Sequence, residues 1–213
     1  MRSIEALVVI GSGNWGLTLA SLFSTLGGTK EGVPRPTRVW TIDAATASRL
    51  NAERNNPSPT YPRPLPKALI VEEKYAVDFD PDKTLVVLAV PSGQVRAASR
   101  ELGQHAVHPL ILSVSKGFDA EQQRTMSEVI QDEIPGACVV VLTGPTIANE
   151  VAQGKPTKAV LACENLMHLA LVKDALRNDV IFFEVSRNPQ HHEICGALKG
   201  IFAIAAGLAD VLE

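Results

Sequence analysis

VVIGSGNWGLTLASLF, residues 8–23, sets an apolar run, three glycines and an amphipathic pattern end to end. The run ALVVI (6–10) is apolar and β-branched without alternation, the composition of a strand covered on both faces. Downstream, Leu19, Leu22, Phe23 and Leu26 fall at i, i+3, i+4 and i+7, and Gly27 follows at the usual C-terminal stop of a helix. Between them lies Gly11-Ser12-Gly13-Asn14-Trp15-Gly16, a GxGxxG turn that leaves a strand and opens a helix. In such a turn the first glycine permits the tight bend and the second lets a pyrophosphate touch the backbone. The third lets the helix pack closely on the strand. The helix's free N–H groups and positive dipole end then bind the diphosphate. Glycine-rich turns also arise for packing alone; the strand–turn–helix setting is what favours a dinucleotide site here.

Seven further apolar runs of strand length follow: RVWTI (38–42), ALIVE (68–72), LVVLAV (85–90), LILSV (110–114), CVVVL (138–142), KAVLA (158–162) and VIFFEV (180–185). Helical patterns alternate with them, which predicts βαβ units: an α/β fold of Rossmann type, with a mostly parallel sheet and flanking helices. GGTKEGVPRPT (27–37) reads as a loop insertion, and NNPSPTYPRPLP (55–66), with five prolines, as a second loop. The second strand of this fold should end in an acidic residue that binds the adenosine ribose. Asp43 stands there, 32 positions after Gly11, the excess over about 20 being explained by the insertion. No arginine neighbours it, which favours NAD over NADP. The lesser alternative is that Asp43 only caps a helix beginning at Ala44. From Asn188 the alternation stops, and NPQHHEICGALKGIFAIAAGLADVLE reads as one long helix with Ile194, Leu198, Ile201, Ala205, Leu208 and Leu212 as its apolar residues. The division expected is a dinucleotide-binding domain over 1–187, then at 188–213 the first helix of an incomplete all-α second domain.

Among the 213 residues the formal net charge is −3, which offers no general attraction for nucleic acid or an anionic membrane. The three cysteines, Cys138, Cys163 and Cys195, have no short paired spacing and suit a reduced compartment. The apolar run near the N-terminus is too short for a signal peptide or a membrane span. A soluble cytoplasmic protein is the expectation.

The chemistry should sit at the carboxyl ends of the strands. Pro91 and Ser92 follow the fourth strand, Lys116 the fifth, and TGPTIANEV (143–151) the sixth. A strand-end lysine is more often a solvated charge than a catalytic one. Lys199, on the last helix, has Cys195, Gly196, Phe202 and Ala203 around it at helical spacing, small and apolar neighbours that leave room for a ligand. Partial burial there would bring an ammonium pKa toward the range useful for acid–base work. His191, His192 and Cys195 are read as surface histidines and a core cysteine rather than metal ligands, so no metal is expected. No Ser/His/Asp array, pair of catalytic carboxylates or CxxC pair appears.

Taken together, GSGNWG, VW before Asp43, LNAERNNP (50–57), LAVPS (88–92), SKG (115–117), GPTIANEVA (144–152) and EICGALKGIFAIAAG (193–207) resemble the NAD-dependent glycerol-3-phosphate dehydrogenase family, in family order along nearly the whole chain. The resemblance implies hydride transfer between NADH and dihydroxyacetone phosphate to give sn-glycerol 3-phosphate, and the reverse. It maps the general acid of GALK onto Lys199, and the SKG lysine, near cofactor and substrate, onto Lys116. The cofactor loop maps onto Gly11, Ser12, Gly13, Asn14, Trp15 and Gly16, and the alanine of GPxxA onto Ala148. It also implies a homo-oligomer. Two departures stand out: Gly200 replaces the asparagine that usually follows the catalytic lysine, and the family's helical domain, with its aspartate and phosphate-gripping arginine, is not in these 213 residues. A relative reducing another small phosphorylated or carboxylated keto compound, and a non-catalytic NAD-binding module, remain alternatives.

Overall fold

The run ALVVI does form a strand, β1 (Ala6–Ile10), and its side chains divide between the two sides of a sheet. Leu7 and Val9 enter one core and Val8 and Ile10 the other, so every second residue of a wholly apolar run is buried on the opposite face. The computed structural model describes residues 3–25, 34–56, 58, 63–74 and 79–212. The remaining strands are β2 (Thr37–Thr41), β3 (Leu69–Glu73), β4 (Thr84–Leu88), β5 (Leu110–Ser113), β6 (Cys138–Thr143), β7 (Thr157–Ala162) and β8 (Ile181–Ser186). They form one sheet in the order β3-β2-β1-β4-β5-β6-β7-β8. The first six are parallel, and Val8 lies opposite Arg38 on one side and Val86 on the other.

Helices α1 (Asn14–Thr25), α2 (Ala44–Glu53), α3 (Ser92–Leu102), α4 (Met126–Glu133), α5 (Ala148–Ala152), α6 (Leu166–Ala175) and α7 (Pro189–Leu212) complete the chain. One core holds Leu17, Leu19 and Phe23 of α1 with Leu169 and Val172 of α6; the other holds Val95 and Leu102 of α3 with Met126, Val129 and Ile130 of α4. This is the mostly parallel, helix-flanked sheet that the sequence predicts.

Three details differ from the expected boundaries. The second strand ends at Thr41, leaving Ile42 exposed in the turn before α2. The fourth ends at Leu88, because Ala89 and Val90 pack under the glycine turn. The seventh runs antiparallel to the sixth: α5 has only five residues and cannot carry the chain back along the sheet, so the chain returns directly. The expected helix end at Leu26 and Gly27, and most of the 27–37 loop, lie outside the described residues.

LNAERNNP anchors the second loop. Asn51 Nδ2 donates to the Val71 carbonyl (2.6 Å) and its Oδ1 accepts from the Val71 amide (3.1 Å), closing the outer edge of β3. Arg54, a left-handed cap at φ 51°, donates to the Leu69 carbonyl (3.0 Å). Asn56 Oδ1 accepts from the Arg63 amide (3.1 Å), so both ends of the proline-rich loop are tied to the body. The first half of α7 packs on β6 and β7, whereas Ile201, Phe202, Ile204, Leu208 and Val211 are exposed. By length and composition Pro189–Val211 is also apolar enough to cross a membrane.

Candidate functional site

The glycine turn brings three backbones into contact. Gly11 has φ +118°, a conformation side chains rarely adopt, and a Cβ there would run into the Ala89 carbonyl. A Cβ at Gly16 would strike the carbonyl oxygen of Gly11, so the third glycine lets α1 fold back on its own turn. At Gly13 a Cβ meets nothing within 4 Å, and the backbone faces open space. The first intrahelical bond of α1 runs from the Leu17 amide to the Gly13 carbonyl (3.0 Å), so the preceding amides stay available at the positive end of the helix.

A cavity of about 590 Å³ opens beside this turn. Gly11, Ser12 and Gly13 form one wall, Thr41 to Asp43 a second, and Ala89 to Pro91 with the exposed turns of α3 a third. Ser12 Oγ donates to Thr41 Oγ1 (2.9 Å), joining the first two walls. Of the two tasks considered for Asp43, the cap is formed. Its Oδ1 caps α2 by accepting from the Thr46 amide (2.6 Å), and the residue also lines the cavity. The Thr46 hydrogen bonds hold its carboxyl below the usual carboxylate range, so it is anionic at neutral pH.

Of the other expected residues, Pro91 lies on the cavity wall and Trp15 packs against the core, while Asn14 and Lys116 bond to the segment that follows β6. Asn14 Nδ2 donates to Asn149 Oδ1 (3.0 Å), and Ser58 Oγ donates to that same oxygen (2.7 Å). The glycine turn, the proline-rich loop and α5 therefore meet at one side chain. Ala148 opens α5 beside Asn149. Lys116 Nζ donates to the Gly144 carbonyl (3.0 Å) and reaches Thr146 Oγ1 (3.5 Å), which holds it at the carboxyl edge next to GPTIANEV.

Lys199 arrives from the opposite direction. A Cβ at Gly196 would strike Thr143 Oγ1, so glycine lets α7 lie directly on the end of β6 one turn before the lysine. The two lysines are brought together. Burial lowers the Lys116 pKa first, and the positive charge of Lys199 lowers it further. Lys116 is held there by the Gly144 carbonyl, a setting that only the folded sheet supplies. A side chain at Gly200 would meet nothing within 4 Å. Cys195 is exposed, not a core cysteine, because its face of α7 turns away from the sheet.

Sequence reasoning missed Glu193. Its buried carboxylate accepts from the Ser127 amide (2.8 Å) and hydroxyl at the first turn of α4, and burial pushes its pKa up. Glu193 thus pins α7 to α4 and fixes the azimuth at which Lys199 emerges. The only signal in the sequence was its place at the head of EICGALKG. Also missed were Lys74 and Glu101, both on the cavity wall.

A family model described as NAD-dependent glycerol-3-phosphate dehydrogenase N-terminus matches residues 6–169. The chain belongs to this family. A curated relative from Fusobacterium nucleatum, named glycerol-3-phosphate dehydrogenase (NAD(P)+), is 34% identical over 210 residues, which cover 96% of this chain and 60% of the relative. One of the same name from Thiobacillus denitrificans is 32% identical over 211 residues, covering 97% of this chain and 61% of the relative. The chain thus spans less than two thirds of the length of these relatives. The crystal structure of glycerol-3-phosphate dehydrogenase from Coxiella burnetii superposes with a TM-score of 0.82 at 24% identity, over 97% of this chain and 61% of that one, and shares its fold.

Proposed function

We propose that this family member transfers hydride between NADH and dihydroxyacetone phosphate to give sn-glycerol 3-phosphate, and the reverse. Residues 1–187 are its NAD-binding domain and 188–213 the first helix of its substrate domain. The observation that carries the reading is the convergence of Lys116 and Lys199 beside an open glycine turn at the carboxyl edge of the sheet.

The open backbone at Gly13, the free amides of α1 and the anionic Asp43 fit an adenine dinucleotide: amides for the diphosphate, a carboxylate for the ribose hydroxyls. When bound, the nicotinamide supplies or accepts the hydride. Gly11, Ser12, Gly13, Asn14, Trp15, Gly16, Asp43, Pro91 and Ala148 hold the cofactor in this reading. Lys199 is the general acid. As the carbonyl gains hydride its oxygen becomes an alkoxide, which a positioned ammonium stabilises and then protonates. Lys116, held by Gly144, lies near cofactor and substrate in this reading. Gly200, where the family usually carries asparagine, favours as a second reading a relative acting on another small phosphorylated or carboxylated keto compound.

The protein is further proposed to be cytoplasmic and a homo-oligomer, without metal, nucleic acid or membrane insertion. The packing of the first half of α7 on the sheet and the buried Glu193 support a domain helix rather than a span. The test is NADH oxidation by the protein carrying a complete substrate domain, with dihydroxyacetone phosphate in excess. Lys199→Ala should lower turnover by about 10² to 10⁴ and leave NADH affinity unchanged. Near-normal turnover would make Lys199 an ordinary helix residue.

A further inference from the structure

Among the described residues, the lining of the large cavity contains three side chains charged at neutral pH: Asp43, Lys74 and Glu101. Lys74 follows β3, and its amide donates to the Thr41 carbonyl (2.9 Å), which roots it beside the end of β2. Its Nζ meets both oxygens of Glu101, at 2.9 and 3.0 Å. Glu101 lies in the last turn of α3, at the negative end of the helix dipole, where a carboxylate is disfavoured unless a cation offsets it. Its neighbour Arg100 is directed elsewhere, onto Glu133 (2.9 Å). Among the described lining residues Lys74 is therefore the cation of this wall, and Glu101 occupies it.

We propose that the Lys74–Glu101 pair determines specificity between the two nicotinamide dinucleotides, with Glu101 withholding Lys74 from a 2′-phosphate. This rests on the reading of the cavity as the adenosine end of the dinucleotide site. With the pair formed, the described residues of the wall carry a net charge of −1, two carboxylates against one ammonium, and a 2′-phosphate finds repulsion with that ammonium already paired. The ribose hydroxyls of NADH need only an acceptor, which Asp43 supplies. Replacing Glu101 by glutamine brings the wall to zero and frees an ammonium that binds phosphate as a mobile point charge. One position on α3 thus sets a preference that the β2 end alone does not explain.

The experiment is a fluorescence titration of the 213-residue chain with NADH and with NADPH, for the unaltered protein, Glu101→Gln, and Glu101→Gln combined with Lys74→Met. The ratio Kd(NADPH)/Kd(NADH) should fall about tenfold in Glu101→Gln. It should return most of the way in the double variant, and the gain should shrink at about 1 M salt, where the screening length is about 3 Å. A ratio within twofold of the unaltered protein in Glu101→Gln overturns the proposal. So does a gain that survives Lys74→Met, since simple loss of repulsion would then explain it. If the unaltered chain binds neither dinucleotide, the reading of the cavity itself is overturned.

Discussion

The three glycines of the turn should fail in different ways when filled. Gly13→Val places its methyl groups in open space, since no atom lies within 4 Å of a Cβ there. Gly13 directly precedes α1, a position where a β-branched residue costs about 0.5–2 kcal/mol against a good cap. At about 2–4 °C per kcal/mol for a chain of this size, Tm should fall by only a few degrees. NADH affinity should fall at least 100-fold, about 2.7 kcal/mol, because the side chain occupies the diphosphate's place against the amides. Gly11→Ala is the contrast. Its φ of +118° and the collision with the Ala89 carbonyl combine strain of about 1–3 kcal/mol with overpacking of about 1–3 kcal/mol. The same conversion gives a loss of about 4 °C at the least, before any ligand is added. Thermal unfolding reads the first effect and NADH fluorescence the second. If Gly13→Val binds NADH within tenfold of the unaltered protein, or unfolds as early as Gly11→Ala, the assignment of the open glycine to the cofactor is wrong.

Two further outcomes follow from the α7 region. Burial raises the Glu193 pKa, so the native state holds this proton more tightly than the unfolded chain does. Its contribution to stability is therefore full below the unfolded value of about 4.3 and declines as pH rises through the raised native value. The carboxyls of Asp43, Asp119 and Glu133, lowered by hydrogen bonds, act in the opposite sense and lose stability only as pH falls below their unfolded values. Urea unfolding of Glu193→Gln should therefore lack the decline above about pH 4.3 that the unaltered protein shows; identical slopes would contradict this account. The second outcome concerns the exposed half of α7. The 213-residue chain should bind NADH and self-associate through Phe202 and Leu208, and Phe202→Asp with Leu208→Asp should return it to a monomer by light scattering. Its turnover of dihydroxyacetone phosphate should stay far below the ordinary range of about 1–10³ s⁻¹; a rate within that range would show the site to be complete without further cover.

The strands and the glycine turn were legible because their signals are local. A β-branched run between glycines, or leucines at helical spacing, announces itself within a dozen residues. Asp43 was legible as the cap of α2, and its place after β2 also sets it on the cavity wall. The reversal of β7 was not, because its cause is the shortness of α5, and GPTIANEVA looks like the start of a longer helix. Lys74 and Glu101 lie 27 positions apart and Ser127 and Glu193 lie 66 apart. No periodicity reaches that far. The setting of Lys116 was hidden for the same reason, since it and the Gly144 carbonyl that it reaches lie 28 positions apart.

The meeting at Asn149 bears on the order in which the molecule assembles. Its side-chain oxygen joins Ser58 and Asn14, which precede it by 91 and 135 positions. Contacts of such separation carry a large loop-closure entropy and form only after much of the chain is already collapsed. A central strand such as β1 gains its hydrogen-bonded neighbours, β2 and β4, from the first 88 residues. The glycine turn is therefore built early as backbone but acquires its final enclosure late, when α5 docks. In the native state the same hierarchy runs backward: α5 can open without unravelling the central strands. Amide hydrogens over α5 should exchange with solvent well before those of β1 and β4, and a bound dinucleotide should slow them, since ligand that binds only the closed form draws the equilibrium toward it.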